Sequence, residues 1–227
     1  MSRAIARRLY AGAECAINLT VLEVAKRDRR AERREATVAE ILDAAWELAR
    51  TQGLAGISLR ELAQKIGMRP PSLYWYFPSK NAIYDAMFAQ GNRQLLARMA
   101  ELDWPKDARG ILRLSARKFV EFSTENGERY QLLFQRTIPG FEPSPEAFAL
   151  AVQVVNEMRS RLGAAGLTDP RAFDVWTALV SGIAGQQIAN EPGGDRWVRL
   201  IDEIVDAYAD RLMASKHGGT NDRGNDG

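Results

Sequence analysis

The fold is decided by residues 58–80, which read SLRELAQKIGMRPPSLYWYFPSK. Ser58, followed three residues later by Glu61, forms a capping box of the kind that opens a helix. Gly67 ends that helix, and the double proline suits the first positions of a second one, where backbone amides have no partner. Ser79 then caps a third helix. This order is typical of a helix-turn-helix, which presents its second helix to a DNA groove.

The short second helix carries more aromatic residues than its core requires. Leu73 and Phe77 lie four residues apart and are predicted to point inward. Tyr74, Trp75 and Tyr76 remain on the other faces, where they either pack against neighbouring helices or contact DNA. Because two inward positions already anchor a helix of seven residues, the surplus favours surface recognition for Tyr74 and Tyr76, whereas packing and recognition explain Trp75 equally well.

Three polar residues frame this helix. The planar guanidinium of Arg69 can reach two acceptors on guanine, although a phosphate contact or an idle surface charge explains it equally well. Lys80 begins a helix whose free amides favour an anion, so we expect a phosphate contact there. Ser58 caps its own helix, and a phosphate contact is compatible with that role.

The preceding segment predicts one more helix and a basic arm. Thr37 and Glu40 form a capping box, so a helix is expected to begin at Thr37. Its apolar residues recur at helical spacing: Val38, Ile41, Leu42, Ala45, Leu48 and Ala49. Residues 26–34 (KRDRRAERR) hold six positive and two negative side chains. Such an arm is expected to lie along phosphates or to reach into a minor groove.

The rest of the chain predicts helices and no strands, which makes the fold class all-α. Proline and glycine separate five helical candidates, at 107–125, 128–136, 145–162, 170–189 and 195–214. Charge is uneven, because the chain through residue 80 holds fourteen Lys or Arg against nine Asp or Glu, while the remainder sums to −3. Only the amino-terminal part is therefore expected to meet a polyanion.

Composition argues against several other classes of protein. One cysteine, Cys15, and one histidine, His217, cannot build a disulfide, a metal cluster or a histidine-based triad. No phosphate loop or dinucleotide fingerprint is present. No run reaches the roughly 18 apolar residues of a membrane span. We therefore expect a cytoplasmic protein that is not an enzyme, needs no cofactor and has no membrane partner.

The stretch Thr37–Phe88 resembles the amino-terminal domain of the TetR family of bacterial transcriptional regulators. The matching residues are Ile41, Ala44-Ala45, Gly53, Ser58, Leu62-Ala63, Gly67-Met68, Pro71-Ser72-Leu73-Tyr74, Phe77 and Ser79-Lys80. The resemblance implies a three-helix DNA-binding domain, followed by a larger helical-bundle domain for dimerisation and ligand binding. It also implies phosphate contacts from Ser58 and Lys80, with Tyr74 and Tyr76 near the backbone, and Arg69, Pro70 and Ser72 directed toward the bases.

We accordingly divide the chain into four parts. Residues 1–35 form an extension with the basic arm, and residues 36–82 form the helix-turn-helix domain. Residues 83–214 form the effector-binding and dimerisation domain, and residues 215–227 form a disordered tail. The predicted DNA-binding residues are Thr37, Ser58, Arg60, Arg69, Pro70, Ser72, Tyr74, Trp75, Tyr76 and Lys80.

The distal helices supply candidates for an effector pocket and for a dimer interface. The pocket candidates, each of which is alternatively a core residue, are Phe119, Phe122, Phe134, Phe148, Met158 and Trp176. The interface candidates are Ala178, Gly182, Gly185, Trp197, Ile201, Ile204 and Tyr208, for which a buried pair of helices within one chain is the alternative. A two-fold contact is favoured because DNA half-sites require two recognition helices about 34 Å apart.

The predicted function is a homodimeric regulator, a repressor that a small apolar effector releases from its double-stranded DNA operator. An architectural DNA-binding protein is an alternative, which would keep the basic arm and need no apolar cavity. An all-helical enzyme is a second alternative, against which the missing catalytic motifs argue.

Overall fold

The computed structural model describes residues 29–218, and all regular structure within that range is helical. This confirms the all-α prediction. The first helix, α1, covers residues 29–52. The roles predicted for residues 1–28 and for residues 219–227 lie outside the described part of the chain.

Helix α1 begins earlier than predicted, and Thr37 does not cap it. Thr37 lies inside the helix, where its hydroxyl donates to the backbone oxygen of Arg33 at 2.9 Å. Residues 29–36 (RRAERREA) contain only arginine, alanine and glutamate, which are strong helix formers, so the helix continues past the threonine. The described part of the basic arm, 29–34, is therefore helical and exposed.

Three helices form the amino-terminal unit, which we call the reading head. It consists of α1, α2 (Leu59–Lys65) and α3 (Pro70–Tyr76), with a 3-10 turn at Leu54–Gly56 between α1 and α2. The helices close on a shared apolar core that includes Ile41, Ala45, Ala49, Leu54, Ile57, Leu62, Ala63, Leu73 and Phe77. The inward faces predicted for all three helices are confirmed, with Val38, Leu59 and Ile66 partly buried at the margin of the core.

Six further helices form what we call the distal domain. They are α4 (Lys80–Ala100), α5 (Ala108–Glu125), α6 (Gly127–Phe134), α7 (Pro145–Ala164), α8 (Pro170–Asn190) and α9 (Ile201–Gly218), with a 3-10 turn at Val198–Leu200. Side chains cap the starts of α4 to α8, through oxygens of Ser79, Asp107, Asn126, Ser144 and Asp169 that accept backbone amides. These caps satisfy amides that have no partner inside the helix.

The last helix differs from its prediction at both ends. It begins at Ile201 because the buried amide oxygen of Gln187 accepts the backbone N–H of Trp197 at 2.9 Å and of Val198 at 3.3 Å. Those bonds hold the preceding segment in a turn. Residues 215–218, assigned to a disordered tail from the sequence, continue the helix.

Helix α4 joins the two parts because it belongs to both cores. Its first half places Ile83, Tyr84, Met87 and Phe88 in the core of the reading head. Its second half places Leu95 and Met99 in the core of the distal domain. A movement of α4 therefore changes the packing of both cores.

Helices α5 and α9 run antiparallel, and a ladder of ion pairs joins them. Arg109 contacts Asp206 and Asp210, Arg113 contacts Asp206, and Arg117 contacts Asp202. The pairs repeat every four residues on each helix, which is the spacing of one helix face. Sequence analysis did not identify this ladder.

No helix within residues 29–218 combines the length and apolar character needed to cross a bilayer.

Candidate nucleic-acid interface and effector cavity

The turn between α2 and α3 sets the recognition helix in place. Gly67 adopts a left-handed conformation with φ of 67°, and the backbone N–H of Met68 donates to the carbonyl of Ala63 at 2.8 Å. This pairing across the helix end satisfies a carbonyl that α2 leaves free. Arg69 is extended, and Pro70 begins α3, as predicted from the double proline.

One side of α3 is anchored, and the other is free. Leu73 is fully buried and Phe77 is 5% exposed, so the predicted inward pair is confirmed. Tyr74 is 51% exposed and Trp75 is 81% exposed. An isolated indole with so much of its surface in water is not a core residue, which settles the packing alternative for Trp75.

Four of the remaining candidates near α3 are also exposed: Arg60, Arg69, Pro70 and Ser72. Tyr76 is half-buried, and the guanidinium of Arg34 lies 5.6 Å from the centre of its ring. This cation–π contact brings the basic start of α1 against the end of the recognition helix.

Ser58 and Lys80 already have partners within the chain. The Ser58 hydroxyl accepts the backbone N–H of Glu61 at 3.5 Å, which confirms its capping role. The Lys80 ammonium donates to the backbone oxygen of Ala55, and partial burial lowers the pKa of Lys80. Since an ammonium has three donors, a phosphate contact by Lys80 would share this group with Ala55.

Side-chain bonds that sequence analysis missed fasten the reading head to α4. The buried hydroxyl of Tyr84 donates to the backbone oxygen of Leu54 at 2.6 Å. The indole N–H of Trp46 donates to the side chain of Gln90 at 2.7 Å. Both bonds join groups more than 25 residues apart, so no local sequence pattern reveals them.

The distal domain contains an apolar cavity of about 460 Å³ between α4, α5, α7 and α8. Four of the six predicted pocket residues line it: Phe119, Phe134, Met158 and Trp176. Hydroxyl groups of Ser115, Thr177 and Ser181 add a few polar positions. Its size falls within the range of small-molecule sites.

The other two predicted pocket residues, Phe122 and Phe148, do not line this cavity. Phe122 is fully buried beneath Arg129, whose guanidinium lies 3.6 Å from the ring centre. Burial lowers the pKa of Arg129, and its guanidinium donates to the backbone oxygen of Phe122. Phe148 is 53% exposed and lines a separate cavity of about 380 Å³ next to the α6–α7 connection.

Charged residues at the rim of the 460 Å³ cavity are mostly paired. Arg98 forms two hydrogen bonds with Glu125, at 2.8 and 2.6 Å, and these bonds lower the pKa of Glu125. Lys118 contacts Glu121 at 2.7 Å. The pairing leaves an apolar interior behind a nearly neutral rim.

The predicted dimer face divides into a free part and a buried part. On α8, Ala178 and Gly182 are exposed, and a Cβ built on Gly182 would meet no atom within 4 Å. Gly185 is half-buried, 3.5 Å from the Tyr130 hydroxyl by the same measure.

On the segment that leads into α9 and on α9 itself, Trp197 and Ile204 are half-buried, but Ile201 and Tyr208 are buried within the chain. Tyr208 stacks on Trp176 with ring centres 6.2 Å apart. Its hydroxyl also donates to the backbone oxygen of Ala172. The intramolecular alternative therefore holds for Ile201 and Tyr208.

Within the residues that the structure describes, no group of three or more His, Cys, Asp or Glu side chains is arranged to hold a metal.

Comparison with known proteins points to one family. Residues 41–87 match the family model described as bacterial regulatory proteins, tetR family. The chain is 33% identical over 91 residues to the uncharacterized HTH-type transcriptional regulator YobS of Bacillus subtilis, which covers 40% of this chain and 48% of that protein. It is 38% identical over 65 residues to the tetracycline repressor protein class D of Escherichia coli, which covers 29% of this chain and 28% of that protein. The chain thus spans about half or less of the length of these curated relatives.

The fold agrees with solved structures of the same kind. A tetR-family transcriptional regulator from Streptomyces coelicolor superposes with a TM-score of 0.62 at 20% identity, over 80% of this chain and 82% of that one. At that level of identity the likeness concerns the fold, and it extends through the distal helices.

Proposed function

We propose that this chain, which belongs to the TetR family of bacterial regulatory proteins, is a homodimeric repressor that binds operator DNA through α3 and leaves it when a small apolar effector binds. Members of the family are DNA-binding transcriptional regulators, not enzymes. The single observation that carries the proposal is the exposed side of α3, where Tyr74 and Trp75 face solvent while Leu73 and Phe77 anchor the helix.

The electrostatics of the reading head support DNA as the partner. Arg60 and Arg69 are exposed on α2 and just before α3, and arginines at 29, 30, 33 and 34 are exposed on the first turns of α1. Arginines on one surface can release counterions from several phosphates at once, which supplies affinity without sequence preference. The side chains around α3 then select the sequence.

Dimerisation is proposed through the exposed face of α8. Ala178 and Gly182 present small side chains on which a helix of a second copy can lie closely. Half-buried Trp197 and Ile204 extend this face. A two-fold contact places one recognition helix on each half of a palindromic site.

The effector step follows from the position of the 460 Å³ cavity. One of its walls is α4, through Leu95 and Met99, and the same helix begins at the reading head. A ligand that fits the cavity best when α4 is displaced shifts the population toward an arrangement with the wrong spacing of recognition helices. The strength of the coupling equals the ratio of the ligand's affinities for the two arrangements.

DNA binding is tested by fluorescence anisotropy with a labelled duplex from the promoter region beside the protein's own gene. Trp75→Ala should weaken binding by about 30-fold, the loss expected for a recognition hot spot of about 2 kcal/mol. Val152→Ala is the control, since it truncates an exposed apolar side chain on α7 that lines none of the described cavities, and it should leave DNA affinity unchanged. If the wild-type protein binds no duplex at low salt, the function is refuted.

Dimerisation is tested by sedimentation. Gly182→Trp places a bulky ring on the open face of α8, and it should convert a dimer into a monomer while preserving the helical circular dichroism signal. A monomeric wild-type protein that stays monomeric on DNA would contradict the proposal.

A further inference from the structure

We infer that the 460 Å³ cavity is one compartment of a two-compartment site, in which Phe134 separates it from the second cavity and an elongated apolar ligand occupies both. This inference rests on the proposed effector binding, and it specifies the shape of the effector and how the effector reaches the reading head.

The two cavities share a wall. Phe134 lines the first cavity, of about 460 Å³, and also the second, of about 380 Å³. The second lies against the connection between α6 and α7, and its apolar lining includes Phe88, Leu132, Ile138, Phe141, Phe148 and Ala151. Either volume alone is near the lower end for a ligand site, whereas both together suit a larger molecule.

Phe134 is placed to swing aside. It is the last residue of α6, and the next residue, Gln135, has an extended backbone, so no helical turn follows it. Phe134 is 38% exposed, and its ring meets Phe119 edge-on at 5.0 Å and lies tilted against Tyr130 at 5.7 Å between ring centres. Each such contact is worth about 0.5–1.5 kcal/mol beyond the buried area, which a ligand can replace with contacts of its own.

Packed aromatic side chains close the first cavity on the side of the third one. A third cavity, of about 270 Å³, shares Phe173 and Trp176 with the first, and the guanidinium of Arg159 lies 4.7 Å from the centre of the Phe173 ring. Trp176 is 3% exposed, lies in the interior of α8 and stacks on Tyr208. Displacing it would break the packing of α8 against α9, so the ligand extends past Phe134 instead.

The lining of the joined site defines the ligand class. The deep residues of both compartments are hydrocarbon or aromatic, whereas the polar groups of the second, on Gln135, Arg136, Thr137 and Glu142, belong to exposed residues. A molecule with a long apolar body therefore fits, and any polar end is accommodated at the exposed margin of the second compartment.

The second compartment touches the attachment of the reading head. Phe141 meets Tyr84 edge-on with ring centres 5.5 Å apart, and the Tyr84 hydroxyl is bonded to Leu54. The backbone N–H and the hydroxyl of Ser144 donate to the carboxylate of Asp85, at 2.6 and 2.9 Å. Filling this compartment displaces a connection that is fastened to the first turns of α4.

The length of the ligand therefore decides whether its binding also releases the protein from DNA. A short apolar molecule fills the first compartment and does not reach the α6–α7 connection. A long one passes Phe134, presses on that connection and biases α4. Only the long molecule has a large difference in affinity between the DNA-binding and released arrangements, which is what release requires.

The experiment measures the affinity of the full-length protein for 1-hexanol, 1-octanol, 1-decanol and 1-dodecanol by isothermal titration calorimetry. In the wild-type protein, affinity should rise about fourfold per methylene through the whole series, as expected for continued burial of apolar surface. Ala151→Phe fills only the second compartment, and it should stop the rise after the shorter alcohols. Val155→Phe fills only the first compartment and is the matched control, which should weaken binding of every length.

A second variant and a direct readout of release complete the test. Should Ala151→Phe fail to fold, Phe148→Trp narrows the second compartment from its exposed side and should give the same truncated profile. Anisotropy on operator DNA, run in parallel, should show release by 1-dodecanol and not by 1-hexanol. Phe134→Ala, which removes the partition, should strengthen binding of 1-dodecanol more than that of 1-hexanol.

The inference is overturned if both second-compartment variants keep the full rise with chain length, or if no alcohol binds a wild-type protein that binds DNA. Either result leaves the proposed DNA binding intact, because that function is read from operator affinity without alcohol. A wild-type protein that does not bind the operator in the absence of alcohol refutes the proposed function instead.

Discussion

The reading head and the distal domain use apolar side chains in opposite ways. In the reading head, Leu62, Ala63 and Leu73 are completely buried, and the three helices close on one another. In the distal domain, Phe119, Phe134 and Phe173 border open volume. The part proposed to recognise DNA therefore keeps a fixed shape, while the part proposed to sense a ligand retains space for it. Helices α4, α6 and α7 each place buried residues in both cores, and α4 supplies the most to the core of the reading head.

The largest expected effect comes from truncating the closed core. Leu73→Ala should lower the free energy of unfolding by about 2–5 kcal/mol, because the reading head cannot collapse around the lost atoms. Val155→Ala, at a position that is 37% exposed and borders the cavity, should cost far less. Urea unfolding followed by circular dichroism measures both. Equal losses of unfolding free energy would show that the two regions do not differ in how tightly they are packed.

The next effect concerns the buried bond between the reading head and α4. Tyr84→Phe removes one of the two hydrogen bonds that the carbonyl of Leu54 accepts, the other coming from the backbone N–H of Ile57, and should cost about 0.5–1.5 kcal/mol of stability. Tyr208→Phe removes a comparable buried bond within the distal domain and is its control. Thermal unfolding should respond to both changes, whereas operator affinity should fall only with Tyr84→Phe. A matching loss of affinity in Tyr208→Phe would show that the distal domain also sets the geometry of α3.

Arg69→Ala tests sequence reading by the exposed side of the reading head. If its guanidinium contacts a base, affinity should fall by about 1–3 kcal/mol, and the preference at one operator position should relax. Binding to a panel of single-base operator variants measures this. Arg93→Ala, on the exposed face of α4 about 20 Å along the helix from Lys80, is the control. A uniform loss across the panel would reassign Arg69 to a phosphate.

Lys80→Ala tests the phosphate contact. It should weaken binding to all sequences alike, and it should reduce the dependence of log affinity on log salt by about one unit. Because Lys80 also holds Ala55, the unfolding curve of the variant must be compared with that of the wild-type protein. An unchanged salt slope would mean that Lys80 acts only within the reading head.

The smallest effect is expected at the ladder between α5 and α9. Arg113→Ala removes the hydrogen bonds that lower the pKa of Asp206. Since that pKa is depressed in the folded state, the stabilisation is present above the unfolded value of about 4 and is lost as pH falls through the lower folded value. Wild type and variant should therefore differ slightly in thermal stability at pH 7 and converge in acid. They should also converge in 1 M salt, which screens exposed charges. A large difference in thermal stability at pH 7 would mean that the ladder makes the distal domain more rigid than its cavities suggest.

The sequence predicted the reading head well because its signals are local. Ser58, Gly67 and the double proline act within one turn of the backbone, and the structure places each of them as expected. The start of α1 was missed for a related reason. A capping box at Thr37 competes with a strong run of helix formers, and the run prevails.

The distal domain was predicted less well because its functional features depend on which helix faces which. Phe119 and Phe122 lie three residues apart on α5, yet one borders the cavity and the other lies under Arg129. Likewise, the apolar stripe of α9 fits a partner subunit or a neighbour in the same chain equally well. Ile201 and Tyr208 proved to be the latter. Periodicity identifies a buried face without identifying what covers it.

The four-residue repeat of the α5–α9 ladder limits how these helices can slide. A shift of one four-residue repeat, about 6 Å, would bring the arginines opposite neighbouring aspartates and restore most of the contacts, whereas a shift of half a repeat restores none. The favoured relative positions of α5 and α9 along this seam are therefore one repeat apart. Because the pairs are largely exposed, they favour particular positions along the seam and add little to the strength of the packing.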